Sequence, residues 1–371
     1  MLVILPINMQ KKWSKIGLFS LLLLIQGVLY SVLFSNNKIV DFVLNHLTFP
    51  ISNFISKITS SIPVPLGELF YLCLIILFIW LIFNLLKSVL KNRTKINKCI
   101  VQLLFVINCG YFVYTFAWGI MYKKESLTFD KETIKIDPVI LKSIYCNEMD
   151  KAIFYRNKIS QSETQSVQFK TSLNDYNKDF QQLQYRLKEI TWLKNYRFLE
   201  EPQYKLSTIS MIQNYIGILG YYNPFTVESN LNKYNSHLKQ SSTMFHEYGH
   251  QMGFASESEA NFLAYYLGTQ SHNPEINYSV YYKSIFSLLG AISKTDPYFV
   301  KMELDLLDKK IKVDRKAEIE YYKQYEGKTS EAFSEVNNQF LKANDQEGTI
   351  SYNKYVEYIY YLYQQKNGTK K

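Results

Sequence analysis

Three long runs of apolar residues without a charged side chain lie in the first third of the chain. They cover Ile16–Phe34, Leu69–Leu86 and Cys99–Tyr122, which are 19, 18 and 24 residues long. A helix rises ~1.5 Å per residue and the hydrocarbon core of a bilayer is ~30 Å thick, so about 20 residues suffice for one crossing. The pattern therefore predicts transmembrane helices at about 16–34, 69–86 and 99–122, within a membrane domain at residues 1–122.

Polar residues return after Tyr122, and the apolar positions beyond it recur at mixed spacings of three and four, which is typical of amphipathic helices. The segment Gly220–Asn232 instead begins with strand formers bounded by turn formers. We expect residues 123–371 to form a mostly helical domain with a small β-sheet. The predicted fold class is therefore membrane-anchored and mainly α.

The basic excess of the chain belongs to its membrane part. The net charge is +10, and residues 1–122 hold ten basic and two acidic side chains, whereas residues 123–371 hold 32 and 30. A polar domain so nearly balanced has no basic patch for nucleic acid, and we expect no nucleic-acid partner. The 47% hydrophobic content also excludes a disordered chain.

The basic residues around the apolar runs predict the orientation of the chain. Three lysines precede the first run and five basic residues separate the second from the third, but only two separate the first from the second. Because positive loops stay in the cytoplasm, we expect a cytoplasmic N-terminus and an extracytoplasmic C-terminal domain. In a bacterium, this describes an integral protein of the inner or plasma membrane, with the lipid bilayer as its first partner.

The motif with the clearest chemistry is His246-Glu247-x-x-His250. Positions i and i+4 share one face of a helix, so both imidazoles can bind one metal ion. Two nitrogens, a third protein ligand and one open position for water form a catalytic zinc site. Glu247 projects ~100° around the helix from His246 and is placed to act as general base on that water. We therefore expect one Zn²⁺ per chain.

Two glutamates compete for the place of third metal ligand. A second helix is expected to begin near Ser256, and its first turn contains Glu257 and Glu259. Ser256 and Glu259 match a capping box, which occupies Glu259 and favours Glu257 as the ligand. Asn261 lies on the same helical face as Glu257 and is expected to support it. His237 and His272 are further, less favoured ligand candidates.

The ends of the metal-binding helix also carry signals. Ser241 or Ser242 is expected to cap its start, and Gly253 is expected to end it in a left-handed conformation. Gly249 inside this helix costs about 1 kcal/mol relative to Ala and indicates close packing near the site.

These motifs resemble those of the zincin metallopeptidases of the gluzincin type, in which a Glu in an E-x-x-A-D or E-x-x-A-N helix completes the zinc site. The layout also resembles an uncharacterised family of bacterial three-pass membrane proteins with one HExxH domain. That family has Gly-Glu-Ala where this chain has Val227-Glu228-Ser229. The matching stretches are 62–68, 220–226 and 246–265.

The resemblance implies a zincin-like domain in which His246, His250 and Glu257 or Glu259 bind zinc and Glu247 is catalytic. It also implies that an edge strand within Gly220–Asn232 pairs with an extended substrate. We therefore predict a membrane-anchored zinc metallopeptidase that cleaves envelope proteins or peptides on the extracytoplasmic side. Two alternatives stay open, namely a zinc hydrolase of a non-peptide envelope amide and a catalytically silent scaffold.

Hydrolysis of an amide also requires a group that stabilises the developing oxyanion. The chain is rich in tyrosine, with 31 copies. The sequence does not rank the tyrosines near the predicted site, which are Tyr221, Tyr222, Tyr278, Tyr281 and Tyr282.

Overall fold

The computed structural model describes residues 7–125, 136–344, 346–349 and 354–368, with the backbone alone at 7–14 and 367–368. The chain divides into two compact units. The first comprises Met1–Lys124 and Pro224–Val227, and the second comprises Glu125–Asn223 and Glu228–Lys371. The described chain is mostly helical with one three-stranded sheet, which confirms this part of the predicted fold class.

Three helices of the first unit are long and apolar enough to cross a membrane, as predicted, and they lie at Lys15–Leu33, Leu66–Lys91 and Arg93–Ala117. The third ends before its predicted boundary, because the backbone tightens into a 3₁₀ turn at Gly119–Tyr122. The α-helices of this unit are α1 (Ile7–Leu33), α2 (Asn37–Val43), α3 (Phe49–Ser60), α4 (Leu66–Lys91) and α5 (Ile96–Ala117).

A pair of amides joins α1 to α5 within the first unit. Gln26 donates a hydrogen bond of 3.0 Å to the side-chain oxygen of Asn108. Asn108 in turn donates to the backbone carbonyls of Phe19 and Leu104, at 3.1 Å and 2.7 Å. Polar side chains on apolar helices gain from such contacts, because the neighbouring apolar side chains offer no other hydrogen-bond partner. The two amides therefore set the register of α1 against α5.

The second unit is built from ten described α-helices. The most extensive helix packing in this unit involves α11. This helix packs along α6 and across α9 and α10. The helices are α6 (Pro138–Ile159), α7 (Leu173–Leu183), α8 (Ser210–Ile216), α9 (His237–Gln251), α10 (Glu257–Thr269), α11 (Pro274–Ile292), α12 (Pro297–Leu306), α13 (Lys309–Lys323), α14 (Lys328–Ala343) and α15 (Tyr355–Gly368).

The sheet consists of β1 (Tyr204–Leu206), β2 (Gly220–Asn223) and β3 (Glu228–Leu231), in the order β1-β3-β2. β3 pairs parallel with β1 and antiparallel with β2. The predicted strand region therefore forms a hairpin. The chain reverses between β2 and β3, where Val227 adopts a φ of 57°. Only β2 is an edge strand there, and both β2 and β3 pack against α9.

A fully buried ion pair ties three helices of the second unit together. Arg156 on α6 donates to Asp314 on α13 at 2.5 Å, and both side chains are fully buried. The Asp314 carboxylate also accepts hydrogen bonds from the backbone N–H of Val167 and from the Tyr278 hydroxyl on α11, each 2.7 Å long. A buried charge is tolerated when it is paired and hydrogen-bonded in this way.

Replacing Asp314 with Ala should lower the free energy of unfolding by about 3–5 kcal/mol, because Arg156 would remain buried without its counter-charge. The measurement is urea denaturation of the detergent-solubilised full chain, followed by circular dichroism. Glu189→Ala is the matched control, since Glu189 pairs with Arg186 at an exposed position and should change stability by less than about 1 kcal/mol. Equal effects of the two substitutions would contradict the structural role of the buried pair.

Candidate metal centre

Helix α9 carries both histidines of the motif and is buried along most of its length. It begins at His237 with Ser236 at its N-cap, so the prediction that Ser241 or Ser242 caps it is wrong. The helix starts earlier because Leu238 already packs into the core in its first turn. Gly253 follows its end with a φ of 92°, which confirms the predicted left-handed termination.

The turn after α9 fixes the ring of His250. With Gly253 in the left-handed region, the chain folds back and the backbone N–H of Phe254 donates to the carbonyl of Gly249 at 3.1 Å. The Phe254 carbonyl then lies 2.7 Å from Nδ1 of His250. A carbonyl only accepts hydrogen bonds, so Nδ1 carries the proton and donates it. The other ring nitrogen, Nε2, is thereby left to bind a ligand.

Helix α10 approaches α9 very closely at Gly249. A Cβ added to Gly249 would lie 3.1 Å from Cα and 3.3 Å from Cβ of Ala260. Any side chain at this position would push the two helices apart. The close packing that the sequence indicated for Gly249 is therefore present, and it brings the first turn of α10 beside the two histidines.

The start of α10 is capped differently from the prediction. Ser256 is the N-cap residue, but its hydroxyl makes no capping bond and lies 2.8 Å from the hydroxyl of Ser258. The predicted capping box of Ser256 and Glu259 is therefore wrong. Instead, the backbone N–H of Glu257 donates to the side-chain oxygen of Gln346 at 3.2 Å, so a residue distant in sequence supplies the cap.

Glu257 completes a cluster with the two histidines. Its Oε2 lies 3.1 Å from Nε2 of His246 and 3.6 Å from Nε2 of His250. The three ligand atoms all lie within 4.8 Å of one another. Among the described residues, this is the group of three His, Cys, Asp or Glu side chains that is placed to hold a metal ion.

The other ligand candidates lie elsewhere. Glu259 does not belong to the cluster, and its charge acts on the Tyr358 hydroxyl instead. His237 and His272 are exposed to solvent and also lie outside the cluster.

Glu247 lies against the cluster and against the edge strand. Its residue is only 4% exposed, and a Cβ added to Gly220 at the start of β2 would come within 3.0 Å of its Oε1. Its second oxygen, Oε2, is buried without a hydrogen-bond partner among the described residues. A buried unpaired acceptor is costly, and here it lies beside the candidate metal ligands. Gly220 is thus a site residue that the sequence reasoning did not identify.

Burial and charge set the protonation of the cluster. Burial raises the pKa of Glu247 to about 8 and lowers the pKa of His246 to about 4. Burial also acts to lower the pKa of His250, but the Glu257 carboxylate outweighs it and raises that pKa to about 9. The two imidazoles, His250 foremost, hold the pKa of Glu257 well below its usual range despite its burial. Thus His250 and Glu257 attract each other as cation and anion where a metal cation would bind.

Lys283 on α11 is a second site residue that the sequence reasoning missed. Its ammonium donates to the side-chain oxygen of Asn261 at 2.6 Å, and Asn261 follows Glu257 by one turn on α10. Burial and the charge of Lys239 lower the pKa of Lys283 to about 8, so it remains largely protonated at neutral pH. Asn261, which was expected to support Glu257, holds this lysine.

Two of the five tyrosine candidates are engaged away from the cluster. The hydroxyl of Tyr278 donates to Asp314 and that of Tyr282 donates to Glu318, each at 2.7 Å. Glu228, whose role the sequence left open, forms a buried ion pair with Lys205. This ion pair joins the two neighbouring strands, because Lys205 lies on β1 and Glu228 lies on β3.

Comparison with known proteins identifies a family for the chain. A family model described as "Protein of unknown function (DUF3810)" matches residues 45–360. No curated protein and no solved structure gives a significant match. The matched region covers most of both units, including the second and third candidate membrane spans and the whole cluster around His246. The chain therefore belongs to the DUF3810 family of proteins of unknown function.

Proposed function

We propose that the protein is a membrane-anchored zinc metallopeptidase with its active site in the second unit. The observation that carries this proposal is the meeting of His246, His250 and Glu257 within 4.8 Å, with the unpaired carboxylate of Glu247 beside them. The ligand residues and the predicted base thus occupy one buried region, as the HExxH motif requires for hydrolysis.

The donor set suits zinc in both chemistry and spacing. Zinc binds His nitrogen and carboxylate oxygen at about 2.0–2.2 Å in a tetrahedron, which separates neighbouring donors by about 3.3–3.5 Å. The distances from Glu257 Oε2 to the two Nε2 atoms are 3.1 Å and 3.6 Å. Three protein ligands leave the fourth position open, which is the pattern of catalytic sites.

Glu247 has the position of a general base. A zinc ion held by His246, His250 and Glu257 would act as a Lewis acid on water and on the carbonyl of an amide. Glu247 takes the proton of the attacking water and then passes it to the leaving amine nitrogen. Its Oε2, which is buried without a hydrogen-bond partner among the described residues, is placed to accept that proton. The products are a carboxylic acid and an amine.

The resemblance to zincins implies that a strand beside the metal-binding helix takes an extended peptide, and β2 is placed for this role. In the described part of the chain, β2 stands last in the order β1-β3-β2, and it packs against α9. A substrate strand added to a sheet edge is held by backbone hydrogen bonds and therefore tolerates many sequences. This arrangement favours a peptide over a compact small molecule as substrate.

The three apolar helices support membrane anchoring, with the catalytic unit on the extracytoplasmic side. They are long enough to cross a bilayer, and the basic residues cluster before the first and between the second and third. Proteins and peptides of the cell envelope are the substrates that an enzyme at this location would meet.

Glu247→Gln should keep zinc and lose at least about a hundredfold in peptide hydrolysis, because an amide cannot accept the proton of water. Zinc content by mass spectrometry and cleavage of a peptide library by the detergent-solubilised full chain measure the two effects. Glu259→Gln is the matched control and should retain both. Full turnover by the Glu247 variant would refute the mechanism.

Glu257→Ala should lower zinc affinity at least about tenfold, whereas Glu259→Ala should leave it unchanged, because only Glu257 faces the two histidines. Competition with a chromogenic chelator measures the dissociation constants of the two variants against the wild type. Loss of zinc from the Glu259 variant alone would reverse the assignment of the third ligand.

Alkaline phosphatase fused after Lys371 should be active, because we place the C-terminus outside the cytoplasm. The same reporter fused after Asn92, between the second and third apolar helices, should be inactive. Phosphatase activity of intact cells is the measurement, and alkaline carbonate should fail to extract the full chain from membranes. The opposite reporter pattern would invert the proposed orientation.

A further inference from the structure

The ammonium of Lys283 lies beside the metal-ligand cluster with hydrogen-bonding capacity to spare. An ammonium has three N–H donors, and within the described part of the chain one of them bonds to an acceptor, the side-chain oxygen of Asn261. No carboxylate there lies within ion-pair distance of it. Its charge nevertheless acts on Glu247, Glu257 and His246, so it faces the same region as the predicted chemistry.

Three other enclosed cations in the second unit contact a carboxylate directly. Arg156 contacts Asp314, Lys205 contacts Glu228, and Lys239 contacts Glu318 at 2.7 Å. Each of these charges is neutralised by a direct carboxylate partner. Lys283 is held by a neutral amide instead, although it is only partly exposed. A cation that is fixed in place but not neutralised is suited to bind a negatively charged oxygen.

The positioning of Lys283 is rigid. Asn261 belongs to α10, one turn beyond Glu257, and α11 packs against both α9 and α10. The aromatic ring of Tyr355 lies 5.9 Å from the ammonium and limits its movement on another side. The donors are therefore preorganised relative to Glu257, as stabilisation of a transition state requires.

We propose that Lys283 is a catalytic residue that donates a hydrogen bond to the carbonyl oxygen of the scissile amide and stabilises the negative charge that develops there. The inference rests on the proposed function and deepens it. It also supplies an oxyanion stabiliser, which the sequence could not assign among five tyrosines; two of these, Tyr278 and Tyr282, donate to carboxylates instead.

The step balances without another reactant. The oxygen of water forms a bond with the carbonyl carbon, the π electrons of the carbonyl move to its oxygen, and Glu247 takes one proton from the water. When the C–N bond breaks, the electrons on the oxygen re-form the carbonyl and the proton on Glu247 moves to the amine nitrogen. Lys283 keeps its own proton throughout and changes only the strength of its hydrogen bond.

The test uses zinc-loaded full-length protein in detergent and a peptide phosphonamidate, whose tetrahedral anionic phosphorus group imitates the charged intermediate. Lys283→Met should bind this probe between about tenfold and a hundredfold more weakly than the wild type, which is the range of a lost hydrogen bond to a charged group. It should keep one zinc per chain. With a peptide that the wild type cleaves as substrate, the Lys283→Met variant should show a lower kcat and nearly the same KM.

Three further variants complete the test. Lys283→Arg should recover part of the probe affinity, because it restores the charge. Asn261→Ala should weaken probe binding less than Lys283→Met, since it removes the anchor but keeps the ammonium. Lys142→Met, which removes a lysine paired with Asp296, should behave as wild type. Should Lys283→Met fail to fold or to hold zinc, the Asn261→Ala variant still decides.

The outcomes separate the two proposals. A wild type that holds no zinc and binds no phosphonamidate would overturn the proposed function. A wild type that binds both, alongside a Lys283→Met variant with the same probe affinity and the same kcat, would overturn the role of Lys283 and leave the metallopeptidase intact. Where Lys283→Met cannot be measured, wild-type probe affinity in the Asn261→Ala protein would likewise refute it.

Discussion

The candidate centre depends on the contact between α9 and α10 at Gly249. The backbone of Ala260 comes so near that a Cβ on Gly249 would lie 3.1 Å from its Cα. Glu257 precedes Ala260 by three residues on the same helix, so its distance from the two histidines follows from this contact. A glycine inside a helix costs about 1 kcal/mol relative to alanine, and here that cost permits three ligand atoms from two helices to meet.

The parts of this site that local geometry determines were predictable from the sequence. The pairing of His246 with His250 follows from helical periodicity alone, and Gly253 ends the helix as its residue type suggests. Glu257 was preferred for a reason that proved wrong, because the capping box that should have occupied Glu259 does not form. The actual cap comes from Gln346, and no local pattern links that residue to α10.

Residues brought in by tertiary packing could not be predicted in the same way. Lys283 belongs to α11, and its approach to Asn261 depends on how α11 crosses α9 and α10. The hairpin in the strand region could not be predicted for a related reason, since a single strand and a tight hairpin share the same composition of strand and turn formers. In the hairpin, Gly220 stands where a side chain would meet the Glu247 carboxylate. The edge strand can therefore lie close to α9 without displacing the predicted base.

The distribution of charge argues that the centre is built for a ligand rather than for stability. Elsewhere in the second unit, the buried charges of Arg156 and Lys205 are neutralised by carboxylates in direct contact. At the cluster, where Oε2 of Glu257 contacts the two imidazoles, Nδ1 of His246 and Oε2 of Glu247 are buried without a hydrogen-bond partner among the described residues. Each such atom costs about 1–3 kcal/mol. A bound cation would satisfy the carboxylate of Glu257, and it would stabilise the folded state by preferring that state over the unfolded chain.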